Sequence, residues 1–175
     1  MEALAGARAE ALRSELAQGA ETIRALLAGV STAEARVRPA PDAWSLLEVA
    51  CHLQDEERED FRPRLDVVLH RPEEAWARID PAGWVAARRY NERDLGEVLR
   101  GFLAERERSL AWLAGLSAPD WTREYRAPFG PITAGDLLAS WAAHDLLHTR
   151  QLVELRRARL LGQTAGHSTQ YAGDW

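Results

Sequence analysis

The sequence predicts an all-α fold, a four-helix bundle with long connections between its helices. Three observations carry that expectation. Apolar residues recur with a 3.6-residue period in four separate stretches, helix-start signals of the Ser/Thr/Asp type precede several of them, and proline and glycine cluster between them. The 175-residue chain is long enough to close a single core, and 46% hydrophobic with 28% charged residues is an ordinary globular balance. One domain over residues 1–160 is expected, followed by a polar tail over 161–175, docked or flexible.

Helix one is expected over residues 2–28, with Leu12, Leu16, Ile23, Leu26 and Leu27 on one face and Gly29 as the stop. The segment STAEARVRPAPDAW then reads as a connector with one short helical turn near residues 32–36. Ser45 and Glu48 form a capping box that opens helix two, which runs to about Leu69 with a kink near Arg62, because Pro63 lacks an amide proton. Residues 70–93 form a long, partly helical connection. Helix three spans Asp94 to Leu116, with Leu95, Leu99, Phe102, Leu103, Leu110 and Leu113 on one arc. Pro119, Pro128, Gly130 and Pro131 turn the chain again, and Thr133 with Asp136 caps helix four, which continues to about Leu160.

Charge and composition narrow the function classes. A net charge of -5 with no lysine argues against a nucleic-acid partner, which a basic face would normally meet. No apolar run approaches the 18 residues of a membrane span, and the charged N-terminus lacks a secretory apolar core. The single cysteine, Cys51, cannot close an internal disulfide, so a reducing cytoplasm is the expected compartment.

The most informative stretch is SWAAHDLLHTR, residues 140–150. On a helical wheel Leu137, Trp141, His144, His148, Leu152 and Leu155 fall within about 80 degrees of one another, so both histidines face the core. Five histidines placed at random give some i, i+4 pair about one time in ten, so a third ligand is needed. His52 on helix two supplies it. Three neutral imidazoles meeting one ion would leave positions open, the arrangement of a catalytic rather than a closed structural site.

Within the neighbouring run DEERED most acids read as a solvated face, with Glu57 and Arg58 pointing away. Glu56 is the exception, one turn after His52, and is the candidate to orient a ligand imidazole or act as a base. Asp55 and Asp145 are weaker candidates of the same kind. Arg106 interrupts the apolar stripe of helix three, in a buried ion pair with an acid of helix two, snorkelling to the bundle end, or as a clamp for a substrate carboxylate. With Trp141 it is the candidate substrate contact. Cys51 reads as a packed side chain, and His70 and His167 stand apart. Ala139, Ala142, Leu146, Val153 and Leu160 give helix four a second apolar face, for which a homodimer through Ala142, Leu146 and Val153 is expected.

The series DAWSLLEVACHLQDEE, an arginine-bearing helix three and then WAAHDLLHTRQL resembles the DinB/YfiT-like superfamily of bacterial metal-binding four-helix bundles. The likeness runs from about residue 40 to 155, and its most specific part is one histidine in helix two followed by HxxxH in helix four. It implies a right-handed bundle in up-down-down-up order, frequent dimers, and a divalent transition metal, zinc or nickel, on His52, His144 and His148. Relatives with known activity include S-transferases that use bacillithiol or mycothiol, and a mycothiol-dependent maleylpyruvate isomerase. The resemblance therefore implies a metal-dependent transferase with a low-molecular-weight thiol as cosubstrate, acting in detoxification or stress response. A metal-dependent hydrolase with Glu56 as base and a non-catalytic metal-binding stress-response dimer are the alternatives.

Overall fold

The computed structural model describes residues 2–175, with side chains from residue 6 onward. Helix α1 (Glu2–Leu27) ends just before Gly29, whose φ of 71° takes the left-handed conformation that stops a helix at little cost in glycine. The connector contains α2 (Thr32–Ala35), one turn capped by Ser31 and Glu34. Helix α3 (Leu46–Glu56) opens on the expected capping box: Ser45 Oγ accepts from the Glu48 amide at 3.2 Å and the Ser45 amide donates to Glu48 Oε2 at 2.8 Å. Arg38 reaches back from the connector to the Glu48 carboxylate, so this buried acid is neutralised where the helix starts.

The expected kink near Arg62 takes the form of a π-helical turn, Glu57–Phe61, followed by α4 (Arg62–His70). Pro63 falls in the first turn of α4, where its missing amide proton costs little. The long connection holds α5 (Pro81–Ala87) and a 3₁₀ turn at Tyr90–Glu92. Helix α6 (Leu95–Gly115) starts at the Asp94 cap, and α7 (Ala134–Gln163) at the Thr133/Asp136 box. Between them lies a departure from the all-α expectation. Strands β1 (Glu124–Ala127) and β2 (Gly130–Thr133) pair antiparallel, with Ala127 opposite Gly130 across the two-residue turn Pro128–Phe129.

Helix α1 packs along α7 and α6, α3 packs against α6, and the α3–α4 segment meets α7. Leu26 O accepts from Arg156, and Gly19 lies against Asp145. Across the other pair Gln54 meets Gly101, and Arg62 donates to Ser109 Oγ. Two apolar clusters result, one around Leu47, Val49, Phe102 and Leu152, the other around Leu65, Leu113, Leu138 and Trp141. His144 and His148 fall between Trp141 of one and Leu152 of the other.

Helix α1 occupies much of the α7 face expected to meet a second chain. Ala142 is buried and Val153 half-buried, while Leu146 stays 66% exposed. The tail is partly docked: Trp175 Nε1 donates to Glu154 at 3.0 Å and Arg157 lies over its ring. No described helix is long and apolar enough to cross a membrane.

Candidate metal centre

Helix α3 and helix α7 bring three imidazoles together. The Nε2 atoms of His52 and His148 are 3.1 Å apart, those of His144 and His148 3.1 Å, and those of His52 and His144 3.3 Å. These are the edges expected of three nitrogens that each lie about 2.0–2.1 Å from one ion at near-tetrahedral angles. His52 and His148 are buried and His144 is half-buried.

Burial first, and His148 next, push the His52 imidazole down to about 3; burial and the other two rings push His144 to about 2, and burial lowers His148 as well. The rings are therefore neutral at physiological pH, the state that ligates a metal. Phe61 packs edge-on against His144 at 5.0 Å between centroids, and Trp44 lies 5.0 Å from the His52 ring, so aromatic surface keeps water from the flanks.

The outer nitrogens fix the inner ones. His148 Nδ1 lies 2.7 Å from Gln151 Oε1, one turn on, so Nδ1 carries the proton and Nε2 presents its lone pair. His52 Nδ1 is buried and has no hydrogen-bond partner; Glu56 Oε1, itself unpartnered, lies 3.8 Å from it. Both orphaned atoms are satisfied if His52 binds an ion through Nε2 and turns its Nδ1–H to Glu56. The donor set and its surroundings thus fit a divalent transition metal. Glu56 lies on the ring edge opposite the converging nitrogens. Burial and a hydrogen bond shared with Asp60 push its carboxyl up to about 8.

The rest of the acidic run departs from the solvated face expected of it. Asp55, Glu56, Glu57 and Asp60 are all buried, because α5 and the Tyr90 turn cover one side of α3 and α6 covers another. Tyr90 and Arg88 donate to Asp55 at 2.7 and 2.6 Å, and Arg64 pairs with Asp60 at 2.7 Å. Glu57, expected to point away, lies four residues after the buried Leu53, at the start of the π-turn, where it continues a second inward face of α3.

Arg106 and Trp141 take structural roles in place of the substrate contacts expected. Arg106 Nε and Nη2 donate to Glu57 at 2.8 and 2.9 Å, and Nη1 and Nη2 donate to Asp145 at 2.5 and 2.9 Å. Nη1 also donates to Leu16 O at 2.6 Å. All five donors are thus used on α1, α7 and the π-turn, and with 2% exposure none is left for a ligand. Trp141 Nε1 donates to Glu57 at 2.9 Å while its ring stacks on Phe61, at 1% exposure. Gln151 and Trp44 are the site residues the sequence reading passed over. Gln151 carried a usable signal, three residues after His148 and therefore on the same helical face.

A cavity of about 600 Å³ lies beside the triad, walled by His148, Trp44, Gln151, Asp42, Glu154 and Arg157 among others. It gives a small molecule access to the His148 side of the centre.

A helical bundle holding a buried three-histidine cluster beside an open cavity defines a class, that of metal-binding bundle proteins. The chain belongs to the DinB superfamily, whose family model matches residues 15–152. Among solved structures it is similar to YfiT from Bacillus subtilis, described as a probable metal-dependent hydrolase with an unusual four-helix bundle topology. The two share 18% identity at a TM-score of 0.75, over 85% of this chain and 86% of that one, a likeness of fold. A search of curated proteins gives no significant match.

Proposed function

We propose that this protein is a divalent-metal-dependent enzyme, a low-molecular-weight-thiol S-transferase of bacillithiol-like specificity that acts in detoxification or stress response in the cytoplasm. The observation that carries the reading is the convergence of three neutral imidazole nitrogens, 3.1–3.3 Å apart, beside a cavity of about 600 Å³. His52, His144 and His148 would hold zinc or nickel. Bound there, the ion would supply positive charge that favours a thiolate over a thiol at neutral pH. The chain's own groups do the rest. Burial keeps the rings unprotonated, Gln151 and Glu56 orient them, and Trp44 and Phe61 shield them from water.

The description of YfiT favours one second reading, metal-dependent hydrolysis, with Glu56 as the candidate base. Its position beyond the Nδ1 edge of His52 supports a positioning role for Glu56 more than a base. For the bundle we propose the up-down-down-up order. Contacts that ascend together along α1 and α7, and along α3 and α6, support it. A homodimer would use the exposed Leu146 and Leu147 and leave Ala142 under α1.

The test is metal analysis of the purified protein, followed by bacillithiol titration with monochlorobimane as electrophile in zinc and nickel forms. Thiol-dependent conjugation that His148→Ala abolishes is expected. Absence of thiol-dependent turnover in every metal form, with ester hydrolysis present, would replace transferase by hydrolase.

A further inference from the structure

The cavity beside His148 does not end at the triad. It adjoins a second cavity of about 400 Å³, and Pro39, Leu155 and Ala158 wall both. The two differ in chemistry. The first carries the polar groups Gln151, Asp42, Glu154 and Arg157, whereas the second is walled largely by Val37, Leu46, Leu155, Ala158 and Gly162. Its charged members, Glu34 and Arg159, pair with each other, so no unmet charge faces the space. Val37 stands 66% exposed and Leu161 38% exposed around these cavities, a concentration of apolar surface that an unliganded polar rim would not require.

We propose that the two cavities form one amphiphile-binding site, in which the polar reacting end of the substrate lies against His148 and Gln151 and an alkyl or aryl tail fills the apolar annex. From His148 to Ala158 helix α7 rises about 15 Å, the reach of a medium-length alkyl chain. The reading of the triad as a metal centre enters only in saying which end reacts. The tail is held by removal of apolar surface from water, and its affinity therefore grows with chain length until the annex is full.

The experiment uses two ligand series of four to fourteen carbons, measured by isothermal titration calorimetry. n-Alkyl hydroxamates, whose head binds metal, are titrated into the zinc-loaded protein and into protein held in EDTA, and n-alkyl sulfonates, whose head does not, into protein held in EDTA. Kd is expected to fall about two- to fourfold per added methylene in both series. Ala158→Trp fills the passage between the cavities and Val37→Asp places a charge in the annex. Each is expected to flatten the chain-length dependence, with melting temperature and zinc content unchanged. A chain-length dependence that persists with sulfonates while hydroxamates show no preference for the zinc form would support the annex and defeat the metal reading. A flat series with both heads overturns the annex, as does a dependence that survives both substitutions. Tail affinity that falls as protein concentration rises would assign the groove to a second copy of the chain and overturn it equally.

Discussion

At the scale of single residues the decisive contrast lies between Glu56 and its neighbours. Asp55, Glu57 and Asp60 each form an ion pair with an arginine, while Glu56 forms none and turns Oε1 toward His52 Nδ1 at 3.8 Å. If Glu56 orients His52, then Glu56→Gln, which keeps an acceptor for Nδ1–H and a donor for Asp60, retains metal affinity within a few-fold. Glu56→Ala is expected to lose about 10–100-fold, read by competition with a zinc indicator. A base would show the opposite split, with metal kept and turnover abolished in Glu56→Gln. The same residue fixes a pH dependence. Its carboxyl is raised to about 8 from 4.5, so the stability it contributes is full below about 4.5 and is lost as pH rises through about 8. In EDTA, Glu56→Gln is therefore expected to match the natural protein at pH 4.5 and to exceed it by on the order of 2 kcal/mol at pH 9, measured by urea unfolding. The histidines act in the other direction: His52 and His144 are lowered from 6.5 to about 3 and about 2, so their contribution is present above 6.5 and is lost as pH falls. The triad was legible because i, i+4 spacing and a core-facing wheel position are properties of sequence alone. The partners of Arg106 were legible only as a class, an acid of helix two, and not as the pair Glu57 and Asp145. A wheel centred on His52 places Glu57 away from the site, and only the packing of α6 on α3 gives that side of the helix a buried neighbour.

At the scale of elements the Arg106 cluster joins the two helices that carry the triad. Glu57 follows His52 by five residues, Asp145 follows His144 by one, and a single guanidinium spans both. Arg106→Met keeps the volume but leaves two buried carboxylates facing each other. A loss of about 3–5 kcal/mol is expected in urea unfolding of the metal-free protein. Adding Glu57→Gln and Asp145→Asn removes those charges and is expected to restore at least half of the loss. Failure of that restoration would mean that the ion cluster's geometry, rather than its charge balance, holds the helices together. The helix starts at Ser45 and Thr133 could be read in advance because each cap is a local hydrogen-bonding pattern of three or four residues. The hairpin at residues 124–133 could not. Its strands have four residues each, and Pro131, which reads as a strand breaker, is tolerated because a two-stranded ribbon consists only of edges. The π-turn was seen in sequence only as the bend that Pro63 demands.

At the scale of the whole molecule, the pattern of four amphipathic helices was sufficient to predict a bundle but not to say which faces would meet. Both apolar faces of α7 were visible in the sequence. The assignment of one to α1 depends on the tertiary arrangement, in which small residues such as Gly19 admit a close approach to Asp145. Histidines from α3 and α7 close the bundle across that arrangement, so metal binding and folding are coupled: an ion held only by the native state adds RT ln(1 + [metal]/Kd) to its stability. At a free zinc concentration about 100 times Kd the gain is about 2.7 kcal/mol, or roughly 5–10 °C in melting temperature for a chain of this size. Zinc is expected to raise the melting temperature of the natural protein by that amount relative to EDTA, and the increment is expected to hold through pH 6.5 and to shrink only as pH falls toward about 3, where protons begin to compete for the nitrogens of the folded site. His148→Ala removes one ligand and one of three mutually facing rings. Its metal-free form should therefore melt close to the metal-free natural protein while its response to zinc disappears, as followed by differential scanning fluorimetry. An unchanged zinc response in His148→Ala would mean that the three rings are merely packed core residues, whatever the spacing of their nitrogens.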